Sequence, residues 1–358
     1  MNKIPVYEPY LDHNEKNLVV DCMETTWISS KGVYINKFED LVKNYTKANY
    51  CSATSNGTNA LHLALLALDI KKGDEVITTN FTYVATTNAI LYVGAKPVFC
   101  EINKTDLNID VSRLEKKITS KTKAILYTNV YGFLCNYDKL KKIASKYGLY
   151  LIEDAAESFG ASYKNKMSGT LGDISTFSFF GNKTITTGEG GMVLCNNKKH
   201  YDKIAQFKNQ GNSEKPFFHD VLGYNYRMTN IQAAIGCAQL NKIDEIITLK
   251  ADIYYRYQQL LTGKVRFLEK LEYTKPSFWI TPVVFKTKRQ REKVVKKLLD
   301  NNIETRPFFT PIDNLSFYRK SNCNVANEVF ELGLLLPSYP GLSEKNQNKI
   351  CRLITTTL

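Results

Sequence analysis

The stretch STFSFFGNKTITTGEGGMV, Ser175 to Val193, decides how this chain is read. Thr176 to Phe179 alternates hydroxyl and aromatic residues as a strand does, and Met192 to Cys195 begins another. Between them lie Lys183, three threonines and a Gly-rich turn. A lysine held on a turn among aromatics is desolvated, which disfavours its ammonium form, and a neutral amine is what Schiff-base chemistry requires. A lone lysine is ordinarily a solvated surface charge, so Lys183 needs company to stand as a catalytic candidate. In TTGEGGMV, Val193 occupies the place where a dinucleotide fingerprint needs its last glycine, and no Walker A spacing occurs in the chain. Nicotinamide and ATP chemistry thereby lose their usual sequence support.

The company comes from two stretches upstream. In YLIEDAAESFG, Tyr150 to Gly160, an apolar strand runs into Glu153 and Asp154. A carboxylate at the carboxyl end of a parallel strand sits where open α/β sheets bind ligands. Asp154 there can pair with a cationic ring nitrogen, ligate a metal or cap the following helix. In TSNGTNALHLAL, Thr54 to Leu65, a strand ends in a turn of small residues that opens an amphipathic helix. Free N–H groups at such a helix start suit a phosphate. Gly57 permits close backbone approach and the Ser55 and Thr58 hydroxyls add donors, while plain helix capping by Ser or Asn explains the same residues.

Around these stretches, β-branched runs alternate with helical patterns from about residue 50 to 195, which predicts a mostly parallel sheet covered by helices. Seven strands are expected, at Tyr50–Ala53, Glu75–Thr79, Pro97–Cys100, Ala124–Tyr127, Tyr150–Glu153, Thr176–Phe179 and Met192–Cys195. Helical spacing marks Ala60–Leu68, Tyr137–Tyr147 and Asn230–Lys250. Beyond these the pattern predicts a smaller C-terminal α+β unit, with a strand around Trp279–Phe285 and a helix around Arg289–Asn301. The expected division is a large domain over residues 1–245, including the N-terminal segment, and a small domain over 246–358.

Composition narrows the function classes. With 43% hydrophobic and 23% charged residues in 358, the chain has the balance of a folded globular protein. No run spans a bilayer and the first residues, MNKIPVYEPYLDHNEK, lack the apolar core of a signal peptide, so a cytoplasmic location without membrane contact is expected. The 8 cysteines are scattered without metal-ligand spacing, which predicts reduced, mostly buried thiols and no metal. A net charge of +13 invites a nucleic-acid reading, but the lysines lie in short groups along the whole chain with acids interspersed, so none is expected.

Taken together these motifs resemble the DegT/DnrJ-type nucleotide-sugar aminotransferases, pyridoxal-phosphate enzymes of the aspartate-aminotransferase-like fold (fold type I). The resemblance continues through WISSKGVYINKFE (Trp27–Glu39), NFTYVATTNAI (Asn80–Ile90), GAKPVFCEIN (Gly94–Asn103), GYNYRMTNIQAAIG (Gly223–Gly236) and ETRPFFTPIDN (Glu304–Asn314). GNKTITTGEGGM and GYNYRMTNIQAAIG look most like the perosamine-synthase branch, which aminates C4 of a GDP-linked 4-keto-6-deoxy sugar.

The resemblance implies that Lys183 carries pyridoxal 5′-phosphate (PLP) as an imine and shuttles the proton once displaced, with Asp154 pairing with the pyridine nitrogen. It places Tyr83 against the cofactor face, Glu157 near the ring hydroxyl, and Gly57, Thr58 and Ser178 around the phosphate. Asn225 matches a residue that reaches the phosphate of the neighbouring subunit, which implies a homodimer with shared sites. Trp27, Ser29, Ser30, Arg306, Phe308 and Phe309 match segments near the sugar nucleotide. The implied partners are L-glutamate as amino donor and a nucleotide-linked keto sugar, cycling PLP through its pyridoxamine form (PMP). Asn129 stands where many relatives have His, Thr26 where Gly is usual, and ETRPFFTPIDN lacks a histidine often found after its proline; these departures are expected to face substrate. Rival readings are a UDP- or dTDP-linked 4-keto sugar giving a viosamine-type product, a 3-keto sugar, and a non-catalytic PLP-binding regulator. A PLP-dependent sugar dehydratase is a further rival; that branch has histidine in place of Lys183.

Overall fold

A computed structural model describes residues 3–215 and 217–358, and in it the expected alternation becomes one seven-stranded sheet. The first five strands are β1 (Tyr50–Thr54), β2 (Glu75–Thr79), β3 (Lys96–Cys100), β4 (Thr122–Thr128) and β5 (Tyr150–Asp154). A short hairpin, β6 (Ser162–Tyr163) and β7 (Lys166–Met167), precedes β8 (Ile174–Ser178) and β9 (Gly191–Cys195). The order across the large sheet is β1-β9-β8-β5-β4-β2-β3. Only β9 runs against its neighbours; β8, β5, β4, β2 and β3 pair in parallel.

Helices on both faces explain why the strands read as continuous runs rather than alternating ones. Every residue of β2 and of β9 is buried. The helix Gly57–Ala67 is itself buried from Ala60 to Ala67 except at Leu66, whereas Tyr137–Tyr147 keeps Leu140 and Ala144 inward and its lysines in water. The latter ends where expected, because Gly148 takes the left-handed φ of +65° that closes a helix.

The C-terminal part carries a four-stranded antiparallel sheet built from β10 (Arg266–Phe267), β12 (Thr281–Val284), β13 (Arg306–Pro307) and β14 (Gly333–Leu336). A further strand, β11 (Thr274–Lys275), joins the β6–β7 hairpin in a third sheet. The helical stretch expected over Asn230–Lys250 is two helices, Asn230–Leu240 and Ile243–Leu260, so the division expected at residue 245 falls in the first turn of the second. Ile4 is tied to this C-terminal part: its amide donates to Asn302 O and the Glu304 amide to Ile4 O, both at 2.9 Å. Ile4 and Val6 share one hydrophobic core with Val283, Leu334 and Ile350.

All eight cysteines are free and buried. Among the described residues no helix is long and apolar enough to cross a membrane.

Candidate active site

Parallel strands present their carboxyl ends on one edge of a sheet, and loops and helix starts converge there. A cleft of about 390 Å3 opens at this edge, and Gly57, Thr58, Tyr83, Asp154, Glu157, Ser178, Lys183 and Phe309 line it. They arrive from far apart in the chain: Asp154 and Ser178 end β5 and β8, Gly57 begins the helix after β1, and Tyr83 precedes the helix Val84–Tyr92.

Electrostatics set the character of the cleft. Burial raises the Asp154 carboxyl above the ordinary carboxylate range; the Thr86 hydroxyl, the Ala156 amide and the charge of Lys183 oppose that rise. Thr86 Oγ1 donates to Asp154 Oδ2 at 2.6 Å and the Ala156 amide to Oδ1 at 3.1 Å. Burial also raises Glu157 to about 7, against Lys183 and against the Tyr131 amide, which donates to Oε2 at 2.6 Å. Lys183 shifts the other way: desolvation lowers its ammonium, and Glu157 and Asp154 resist. Three buried ionisable groups thus sit with opposed tendencies in one cleft, the arrangement that tunes groups for proton transfer near neutral pH.

The helix Gly57–Ala67 points its amino terminus into the same cleft. Asn56 caps it, its side chain accepting from the Asn59 amide at 2.8 Å, so capping and an anion site coexist. Gly57 has a steric reason to be glycine: a Cβ there would stand 2.8 Å from the Ser178 Cβ.

Other residues singled out in the sequence lie elsewhere. Asn225 is exposed and its Oδ1 accepts from Arg227 Nη2 at 2.8 Å. Trp27 and Ser29, next to Ser30, are pinned by Asn230, which donates from Nδ2 to Trp27 O and from its amide to Ser29 O, both at 2.7 Å. Arg306 is exposed and pairs with Glu304 at 2.9 Å, while Phe308 is buried in the core beneath Gly333, its neighbour Phe309 taking the cleft side.

Two departures noted in the sequence find physical reasons. Asn129 does not line the cleft. It is fully buried, its Nδ2 donating to Glu153 Oε1 at 2.9 Å and its Oδ1 accepting from the Cys135 amide at 3.0 Å. Glu153 also takes hydrogen bonds from Ser168, Ser175 and the amides of Gly169 and Leu171, making it a satisfied structural carboxylate behind the sheet end. Thr26 adopts a φ of +64°, a region costly for a β-branched residue and free to glycine, which accounts for glycine being usual there.

Sequence reasoning overlooked Trp279, Thr86 and Asn182. Trp279 precedes β12 instead of belonging to a strand, and its ring lies 4.1 Å from Lys183 Nζ. Its signal was aromatic character alone, which a core strand shares. Thr86 lay inside a quoted motif with nothing local to join it to Asp154.

The residues of the cleft fit PLP: Asp154 is buried without a full counter-charge, Asn182 Oδ1 is buried without a hydrogen-bond partner among the described residues, and the helix start at Gly57 and Thr58 lines the cleft beside Ser178. Fold and cleft are those of a PLP-dependent aminotransferase of fold type I. Residues 9–355 match the DegT/DnrJ/EryC1/StrS aminotransferase family. The chain is 45% identical to GDP-perosamine synthase of Escherichia coli O157:H7 over 357 residues, covering 99% of this chain and 98% of that protein. It is 44% identical to GDP-perosamine synthase of Vibrio cholerae, covering 98% of each. The protein Spr1654 of Streptococcus pneumoniae, solved in its PLP form, superposes with a TM-score of 0.95 at 26% identity over 99% of this chain and 98% of that one. The chain belongs to the DegT/DnrJ/EryC1/StrS aminotransferase family, and its cofactor is PLP.

Proposed function

We propose that this enzyme transfers the amino group of L-glutamate to the C4 keto carbon of a GDP-linked 4-keto-6-deoxyhexose, giving a perosamine-type product in the cytoplasm. The observation that carries the reading is the convergence of the Lys183 amine with the Asp154 and Glu157 carboxyls in one cleft at the strand ends. The identity to two GDP-perosamine synthases favours C4 and GDP over other keto sugar nucleotides.

Bound there, PLP supplies an aldehyde that can exchange amines and a ring that can accept an electron pair. Lys183 would hold it and, when free, move the proton, since desolvation shifts it toward the neutral amine. Asp154, short of a counter-charge, would keep the ring nitrogen protonated. Glu157, raised to about 7, would hold a proton beside the ring hydroxyl. Gly57, Thr58 and Ser178 would receive the phosphate at the helix start, and Tyr83 and Phe309 would exclude water.

Asn225 and the Trp27–Ser30 segment, which do not line this cleft, are read as serving the cleft of a second copy in a homodimer. Mixing Lys183→Ala with Asn225→Ala subunits tests this, because one site of each mixed dimer would regain both residues. Activity that stays at the level of the separate variants would remove the shared-site reading. For the substrate, a panel of GDP-, UDP- and dTDP-linked 4-keto and 3-keto sugars is assayed with glutamate. A GDP-linked 4-amino product by mass spectrometry supports the proposal; a preference for another nucleotide or for C3 replaces it.

A further inference from the structure

The turn that carries Lys183 is held from outside at both of its adjoining carbonyls. Trp279 Nε1 donates to Asn182 O at 2.6 Å, and the Tyr7 hydroxyl donates to Lys183 O. These two bonds fix the main chain from which the lysine side chain extends. Its Nζ lies 4.1 Å from the centroid of the Trp279 ring. Trp279 has little freedom of its own: it is 5% exposed, its N–H is engaged, and it packs beside Tyr131 at 6.3 Å between centroids.

An indole face carries negative electrostatic potential and attracts a cation most strongly where water is excluded. Burial works against the Lys183 ammonium, and the groups facing it with charge are Asp154 and Glu157. Under the reading of the cleft given above, both carboxyls are committed to the cofactor ring, so the lysine needs a different seat when it is free.

We propose that Trp279 is a positioning residue for Lys183: its ring face is the seat the lysine nitrogen takes when it is free of the cofactor and carries the proton in transit. Such a seat would hold the proton between its uptake and its delivery and keep the ammonium at one place in the cleft. The inference rests on Lys183 being the cofactor-bearing lysine. A purely packing role for Trp279 would stabilise the fold and leave the lysine's titration where it was.

The test is the pH midpoint of Lys183 acylation in the full-length, cofactor-free protein, read by peptide mass spectrometry. The chain has 2 tryptophans, so a Trp27→Phe background leaves Trp279 alone to be replaced biosynthetically by 4,5,6,7-tetrafluorotryptophan. That residue nearly keeps shape and N–H but withdraws electron density from the ring face. Its midpoint is expected to fall by about 1 unit relative to the unfluorinated protein, roughly a tenfold gain in neutral amine. Trp279→Leu should show a similar fall and Trp279→Phe a smaller one. An unmoved midpoint in the folded fluorinated protein overturns the proposal. So does Trp279→Phe falling as far as Trp279→Leu, since the N–H bond and not the face would then be responsible. Borohydride reduction of the holoprotein separates the two levels. A labelled Lys183 with an unmoved midpoint sinks the seat alone, and an unlabelled Lys183 sinks the reading beneath it.

Discussion

Thr86 Oγ1 donates a 2.6 Å hydrogen bond to Asp154 Oδ2, and both residues are buried. This bond is one of the few forces holding the carboxyl ionised against desolvation. Thr86→Val keeps the shape and removes the donor. A hydrogen bond to a charged group is worth about 1.5–3 kcal/mol, so the Asp154 pKa should rise further and the acidic limb of the kcat profile should move to higher pH by about 1–2 units. Because the inactive fraction is protonated Asp154, raising the pH should restore activity. A kcat profile whose acidic limb stays in place would refute the role.

Lys183→Ala should abolish turnover, the visible absorption of bound cofactor, and labelling at position 183 after borohydride. Asp154→Asn should fold with a wild-type melting profile yet turn over at least about 100-fold more slowly, since general acid–base and electrostatic contributions of this kind run from about 10² upward. Wild-type rates from Asp154→Asn would remove it from the mechanism.

At Gly57 the prediction is steric. An added Cβ would stand 2.8 Å from the Ser178 Cβ and 3.3 Å from its Cα, so one wall of the cradle must shift. Gly57→Ala should cost about 1–3 kcal/mol, the usual range for overpacking. It should also weaken PLP retention on dialysis, while Lys183 remains reducible at high PLP. Unchanged retention would show that the helix start does not hold the phosphate.

Lys250 offers a pH dependence separate from catalysis. It is fully buried, donates to Ser338 O at 3.1 Å, and burial lowers its pKa to about 7 from 10.5. Between those values the unfolded chain binds a proton that the folded chain does not, so this group's contribution to stability rises with pH from 7 to 10.5 and is lost as pH falls toward 7. The contribution is on the order of a few kcal/mol across the window. Lys250→Met should therefore flatten the rise in melting temperature over that range. A slope identical to wild type would place the titration elsewhere.

The seven strands of the large sheet were legible because each is a short β-branched run bounded by turn residues, and the helix Tyr137–Tyr147 because its apolar spacing and terminal glycine are local signals. The attachment of Ile4 and Val6 to the C-terminal core was not, since a short segment joined by one bridge at Ile4 carries no mark of its distant partner. Asn129 misled for a related reason: its position invited a substrate role, but its partner Glu153 lies on the neighbouring strand, and only pairing in the sheet turns the two toward each other.

By itself, the order of residues determined the cofactor chemistry. Lys183, Asp154 and the Gly57 turn are each ambiguous alone, but as motifs in a fixed order along the chain they point to one chemistry, and such local motifs survive without knowledge of the fold. Tertiary structure alone decided what surrounds them. Thr86 reaches Asp154 across 68 residues, and Trp279 reaches the Lys183 turn across 97. Such contacts depend on where packing returns the chain, and hydrophobic burial, being non-directional, leaves no local trace of its eventual partner.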